Sequence, residues 1–415
     1  MESILFKNAA LLDPARSELL EGHDVLVEGG LVKEVSDRPL SAARARVIDL
    51  KGKTLMPGLI DLHVHVIAVQ LNLPQQMAMP NVLVTFRSAP ILRDMLRRGF
   101  TTVRDAGGAG HAFKQAVEQG LVQGPRLFVS GRALSQTGGH GDGRARTDFM
   151  PGDSPCPCCV RVGALARVAD GVDEVRRAVR QELQMGADQI KIMASGGVAS
   201  PTDPVGAWGY SEDEIRAIVA EARARQTYVL AHAYTADAIA RAVRCGVRTI
   251  EHGNLVDAEA ARLMADSGAY VVPTLVTYEA LATEGADLGL PADSVAKIAQ
   301  VRNAGLRSLE IYRDAGVSMG FGTDLLGPSH RLQSDEFRLR AEVLGPQAVI
   351  ASATLVGAEV LGMQDKLGRI APGAFADMLV VDGNPLRDLS CLLGQGEHIP
   401  LVMQGGKVQF DELAV

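Results

Sequence analysis

Residues 56–65 read Met56-Pro-Gly-Leu-Ile-Asp-Leu-His63-Val-His65, an apolar run that ends in two histidines one residue apart. The run predicts a strand over Leu55–Val66, whose period of two points both imidazoles to one face at its carboxyl end. Outward from it, seven more apolar or β-branched runs follow: Thr101–Gly107, Arg126–Leu134, Gln189–Ser195, Tyr228–Tyr234, Thr249–Gly253, Tyr270–Val276 and Val317–Asp324. Amphipathic helical stretches separate them. Such alternation builds parallel βαβ units, and eight strands are the number that closes a TIM barrel.

The helices carry start and stop chemistry of their own. Ser211-Glu-Asp-Glu214 is a capping box, in which hydroxyl and carboxylate each satisfy a backbone N–H at a helix start. Thr235 and Asp257 stand where the next two helices need caps, and Gly186, Gly246 and Gly268 where a left-handed residue ends a helix. The last helical stretch is Pro346–Leu361.

The flanks have a different texture of short strands and turns, so the expected organisation is α/β: a (βα)8 TIM barrel over 54–365 and a small β-sandwich built by 1–53 and 366–415 together. Each terminus would cover strand edges that the other leaves open. The segments Ile67–Pro90 and Ser135–Gly171 are too long for ordinary barrel connections and are expected to roof the site as long loops.

Composition narrows the function. The chain has 415 residues, 47% hydrophobic and 22% charged, enough for a large core, and a net charge of −7 without blocks of like sign gives no footprint for nucleic acid. No stretch of apolar residues is long enough to span a membrane, and the amino-terminal residues lack the pattern of a secretion signal. Five cysteines do not form an evident disulfide framework. These features point to a cytoplasmic enzyme acting on a small molecule.

Lys191 lies mid-strand in Gln189-Ile-Lys-Ile-Met193, flanked by isoleucines and facing the barrel interior. An ammonium there is costly to desolvate, which favours a functional role over a structural ion pair. His232 and His252 end the fifth and sixth strands, and Asp324 ends the eighth. Taken alone, His63 and His65 could equally be packing residues. The company of Lys191, His232, His252 and Asp324 favours a metal centre.

This set, with the approach Met56-Pro-Gly-Leu-Ile-Asp-Leu-His63 and the tail Gly373-Ala-Phe-Ala-Asp-Met-Leu-Val-Val381, resembles the metal-dependent amidohydrolase superfamily across nearly the whole chain. The resemblance implies two divalent cations, with zinc suiting the donors. His63, His65 and Asp324 would hold one and His232 and His252 the other, with carbon dioxide carried as a carboxylate on Lys191 to bridge them. It further implies that a bridging hydroxide attacks an amide carbonyl while Asp324 shuttles the proton. The stretches Gly138-Gly-His-Gly-Asp142, Lys191-Ile-Met-Ala-Ser-Gly-Gly197, Ala231-His-Ala-Tyr234 and Ile250-Glu-His-Gly253 are most similar to the imidazolonepropionase-like branch, with its Xaa-Pro dipeptidases, arginine or lysine carboxypeptidases and ochratoxin amidohydrolases. The expected substrate is a dipeptide or N-acyl amino acid cleaved next to a free carboxylate, prolidase-like first, with ochratoxin-type amides as a further candidate. A cyclic-amide hydrolase is the alternative, and a non-catalytic barrel a more distant one. Similar enzymes form homo-oligomers.

Tyr234 lies two residues beyond His232 on the same face, where its phenol could bond a substrate or be a satisfied core group. His140, on a glycine-rich loop, could donate to a developing oxyanion or face solvent. Both match substrate-contacting positions of the resembling enzymes. Arg144 and Arg146 could clamp a carboxylate, although such arginines are more often solvated. Cys156-Pro-Cys-Cys159 has no fourth ligand at zinc-finger spacing and reads as a loop of thiols. Gly196-Gly197 is better explained by close approach of the backbone to the site than by phosphate binding.

Overall fold

The structure, a computed structural model, describes residues 3–144, 162–199, 203–290 and 292–413. In chain order its strands begin with β1 (Ile4–Leu11), β2 (Leu20–Glu28), β3 (Leu31–Ser36), β4 (Arg46–Asp49), β5 (Thr54–Pro57), β6 (Leu59–Val64), β7 (Phe100–Asp105) and β8 (Arg126–Val129). There follow β9 (Ala133–Ser135), β10 (Ala166–Val168), β11 (Ile190–Met193), β12 (Val229–Thr235), β13 (Thr249–Leu255), β14 (Tyr270–Val272), β15 (Met378–Val381), β16 (Leu401–Gln404) and β17 (Lys407–Asp411). The two ends of the chain share one mixed sheet, ordered β17-β16-β15-β5-β1-β2-β3 with β4 on β1. Phe6, Val25, Val27, Leu55, Met378, Val380 and Leu401 form its apolar core.

Parallel strands between those ends carry the site. They fall into a sheet β6-β7-β8 and a sheet β10-β9-β11-β12-β13-β14, so the hydrogen-bonded ladder does not run unbroken round a closed barrel. The expected eighth strand, Val317–Asp324, is not a regular strand. It runs between the two sheets, with Gly320 N–H donating to Val271 O on one side and Leu62 N–H to Phe321 O on the other.

Two expected strands are each divided, and glycine is the reason. Leu55–Val66 splits into β5, antiparallel on β15, and β6, parallel on β7. The break is at Gly58, where a Cβ would lie 2.1 Å from Thr101 Oγ1. Arg126–Leu134 likewise splits into β8 and β9 around Gly131, whose φ is 63°.

Helix starts follow the expected chemistry: both halves of the Ser211–Glu214 capping box form, and Thr235 and Asp257 accept from Ala238 N–H and Ala260 N–H. Gly186, Gly246 and Gly268 all have positive φ. Pro346–Leu361 is two short helices, Pro346–Ser352 and Leu355–Val360. Ile67–Pro90 is not one long loop. It contains the helix Leu73–Ala78, capped by Asn72, and the first half of the helix Asn81–Arg97, which tolerates Pro90 inside it. Of Ser135–Gly171, residues 145–161 lie outside the described residues, and with them Arg146 and the Cys156–Cys159 cluster.

Strand alternation places the polar residues. Ile190 and Ile192 of β11 pack outward with Ile215, Ile218 and Val219 of the helix Glu212–Ala224, which turns Lys191 to the opposite face. The same alternation in β12 sends Ala231 and Ala233 into that core and leaves His232 and Tyr234 facing inward with Lys191.

Gly58→Ala should destabilise the fold by about 1–3 kcal/mol through overpacking against Thr101, read as a lower denaturant midpoint. Adding Thr101→Ala should restore most of the loss, and additive losses would refute the clash.

Candidate active site

All eight residues singled out for the site, His63, His65, His140, Lys191, His232, Tyr234, His252 and Asp324, line one cavity of about 60 Å³ at the carboxyl ends of the parallel strands. Its remaining wall is mostly apolar, with Met193, Val198, Ala199, Leu281 and Leu326 beside Thr277 and Tyr278.

Asp324 is the meeting point. Its Oδ1 lies 3.1 Å from His65 Nε2 and 3.4 Å from His63 Nε2, and its Oδ2 lies 3.9 Å from His252 Nδ1. The His63 and His252 ring centres are 4.9 Å apart, and those of His252 and His232 are 4.7 Å apart. Backbone conformation helps to aim these groups: Asp324 has φ 53° and His252 φ 71°, left-handed values that cost energy for residues with a Cβ. Such strain persists only where surrounding contacts fix it.

Each imidazole is held through one nitrogen. His63 Nδ1–H donates to Glu251 Oε2 at 2.7 Å, His65 Nδ1–H to Gly107 O at 2.8 Å and His232 Nε2–H to Gly196 O at 3.0 Å. His252 Nδ1 pairs with Thr274 Oγ1 at 2.8 Å. The second nitrogen of each ring is not tied to the scaffold, and that of His65 meets Asp324, the pattern of metal-ligating histidines.

Burial pushes the basicity of His63, His232 and His252 well down, and the neighbouring cationic groups push further the same way, so all three rings are neutral. Burial also lowers Lys191 to about 8. Desolvation alone would raise Asp324, but His63 and His65 hold it below the usual carboxylate range. The same carboxylate lifts His65 against its burial. Donor atoms of His63, His65 and Asp324 all lie within 4.8 Å of one another. Two imidazoles and an ionised carboxylate at that spacing fit a divalent cation.

The remaining candidates divide. Tyr234 donates or accepts at 2.8 Å with Tyr278 Oη while lining the cavity, so its hydroxyl is satisfied and still faces the site. His140 does not face open solvent but stacks on His232, with centres 4.4 Å apart. The Arg144 guanidinium is engaged by Asp142. Gly196 and Gly197 do lie against the site, one accepting from His232 and the other beneath the His140 ring.

Several participants were not singled out in the sequence. Glu251 and Arg104 form a buried two-point ion pair, both contacts 2.9 Å, behind His63. Arg104 is a charged residue within an apolar strand, the same signal that exposed Lys191. Glu251 adjoins His252 in an already distinctive stretch. Thr274, Tyr278 and Asp203 had no such marker.

Residues 54–408 match the amidohydrolase family. The chain is 30% identical to ochratoxinase of Aspergillus niger, covering 96% of this chain and 85% of that protein. A crystal structure described as an amidohydrolase is 74% identical with a TM-score of 0.98, covering 99% of this chain and all of the other. The crystal structure of a prolidase complexed with N-methylphosphonate-L-proline is 59% identical with a TM-score of 0.96, again covering 99% of this chain and all of the other. With its parallel-strand architecture and its imidazole–carboxylate cluster, the chain belongs to the amidohydrolase family, enzymes that hydrolyse C–N bonds.

Proposed function

We propose that this chain is a binuclear, zinc-dependent amide hydrolase of prolidase type, acting on dipeptides or N-acyl amino acids next to a free carboxylate. The observation that carries the reading is the convergence of four imidazoles, each fixed to the scaffold through one nitrogen, with Asp324 and buried Lys191 on one cavity. The prolidase relative holds a proline derivative whose tetrahedral phosphonate resembles an amide carbonyl under attack, which supports the same chemistry for this site. The scaffold in this reading is a (βα)8 barrel over 54–365, with 1–53 and 366–415 forming the smaller domain.

His63, His65 and Asp324 would hold one cation, and His232 and His252 the second. Lys191 carboxylated by carbon dioxide would be shared between them. Its lowered basicity favours this, because only the neutral amine adds to carbon dioxide, releasing a proton as the carbamate forms. When bound, the cations would polarise the scissile carbonyl and make water more acidic. Asp324, kept ionised by its imidazole neighbours, would take the proton of the attacking water and pass it to the departing nitrogen. His140 would face the carbonyl oxygen, and the Tyr234 hydroxyl would meet the substrate carboxylate.

Protein loaded with zinc and bicarbonate should contain about two ions per chain and hydrolyse Xaa-Pro dipeptides or N-acyl prolines. Lys191→Ala should lose at least roughly 10³-fold in kcat/KM together with part of its metal. Full activity in that variant, or in protein stripped of metal, would overturn the assignment, and turnover of ring amides alone would redirect it to a cyclic-amide hydrolase. Glu251→Gln should weaken metal retention by roughly 10–100-fold, since it loosens the partner of His63. Metal competition with a chelator reads this directly, and an unchanged affinity would show that Glu251 serves only the fold.

A further inference from the structure

His140 lies in the turn Gly138–Asp142, away from the strand ends, yet its ring is tightly placed. It stacks on His232 at an interplanar angle of 19° and presses on Gly197, where a Cβ would lie 2.1 Å from Cε1. Nδ1 is sealed from solvent and makes no hydrogen bond. Facing it is Asp203, with Oδ2 3.4 Å away and a side chain only 5% exposed.

Asp203 is itself fixed. Its Oδ2 accepts from Gly197 N–H at 2.7 Å. Lys297, from the helix Ala292–Ala315, donates to Gly197 O at 3.1 Å and also to Asp203 O. One lysine thus fastens both the glycine under the ring and the residue whose carboxylate faces Nδ1. A buried imidazole nitrogen without a partner is costly, and a carboxylate oxygen 3.4 Å away relieves that cost with a small shift. Hydrogen bonds of active-site groups are commonly long before substrate arrives and tighten in the complex.

We infer that Asp203 is a positioning residue for His140, holding the ring through Nδ1–H so that the other nitrogen faces the cavity. The inference rests on the proposed role of His140 at the substrate carbonyl. Asp203 does not line the cavity. It acts through the imidazole, and Lys297 holds the segment that presents it.

The test uses the metal-loaded, full-length protein. Asp203→Asn keeps an acceptor for Gly197 N–H, so a melting temperature close to that of the parent is expected. With an alanyl-proline dipeptide, kcat should fall roughly tenfold while KM changes less than about twofold. In a His140→Ala background the same substitution should cost nothing more. A full tenfold loss in that background would overturn the inference, because Asp203 would then act through the Gly196–Gly197 backbone. If His140→Ala keeps full activity, the substrate role of His140 fails, and this inference with it. Histidine-selective 15N spectra decide independently of turnover. A proton on His140 Nδ1 that is lost or strongly shifted in Asp203→Asn supports the pair, and a bare Nδ1 in the parent protein overturns it.

Discussion

The ion pair between Arg104 and Glu251 is the contact on which the site depends. Arg104 belongs to the sheet β6-β7-β8 and Glu251 to the sheet β10-β9-β11-β12-β13-β14, so the pair crosses the interior between two ladders that are not continuous with each other. Arg104 Nε–H also donates to Leu62 O at 2.6 Å, beside His63, while Glu251 accepts from Thr249 Oγ1 and His63. Both side chains are fully buried. Removing one partner of such a pair leaves an uncompensated charge, at a cost of about 3–5 kcal/mol. The energy that keeps the two sheets in register therefore also keeps His63 aimed.

From this anchor the rest of the cluster is built outward by single hydrogen bonds. A backbone carbonyl fixes His65, another fixes His232, and a threonine hydroxyl fixes His252. Asp105 shows how such a carbonyl is set in place: its carboxylate accepts from the N–H groups of Val66, Gly107 and Ala109, which holds Gly107 O against His65. Left-handed backbone at His252 and Asp324 is sustained by this scaffolding. In the proposed reading, the ligand shell would thus be set by the fold before any cation arrives.

Much of this was legible in the sequence because desolvation leaves a mark. An ammonium between isoleucines at Lys191, and histidines ending apolar runs at His63, His232 and His252, stand out against their surroundings. Partners stand out less. Arg104 is followed by Asp105, which looks like its local counter-ion, whereas its partner is 147 residues away. The breaks at Gly58 and Gly131 hide inside unbroken apolar runs, and only the packing of Thr101 against Gly58 reveals why the first chain segment changes sheets there. Asp203 is an acid in a loop. Nothing local ties it to a glycine-rich turn more than 60 residues earlier.

The wall opposite the ligands obeys a different constraint. A cavity of about 60 Å³ is far below the several hundred Å³ typical of small-molecule sites. In the proposed reading a dipeptide must therefore displace part of the lining. The imidazoles and Asp324 stand at strand ends tied by charge and hydrogen bonds, but Val198, Ala199, Leu281 and Leu326 come from connecting segments and a helix and have apolar side chains. Shifting these side chains alone costs packing rather than side-chain hydrogen bonds, since none of them carries a polar atom. Accommodation of substrate thus falls on the apolar side, and the geometry of the polar side is conserved through it.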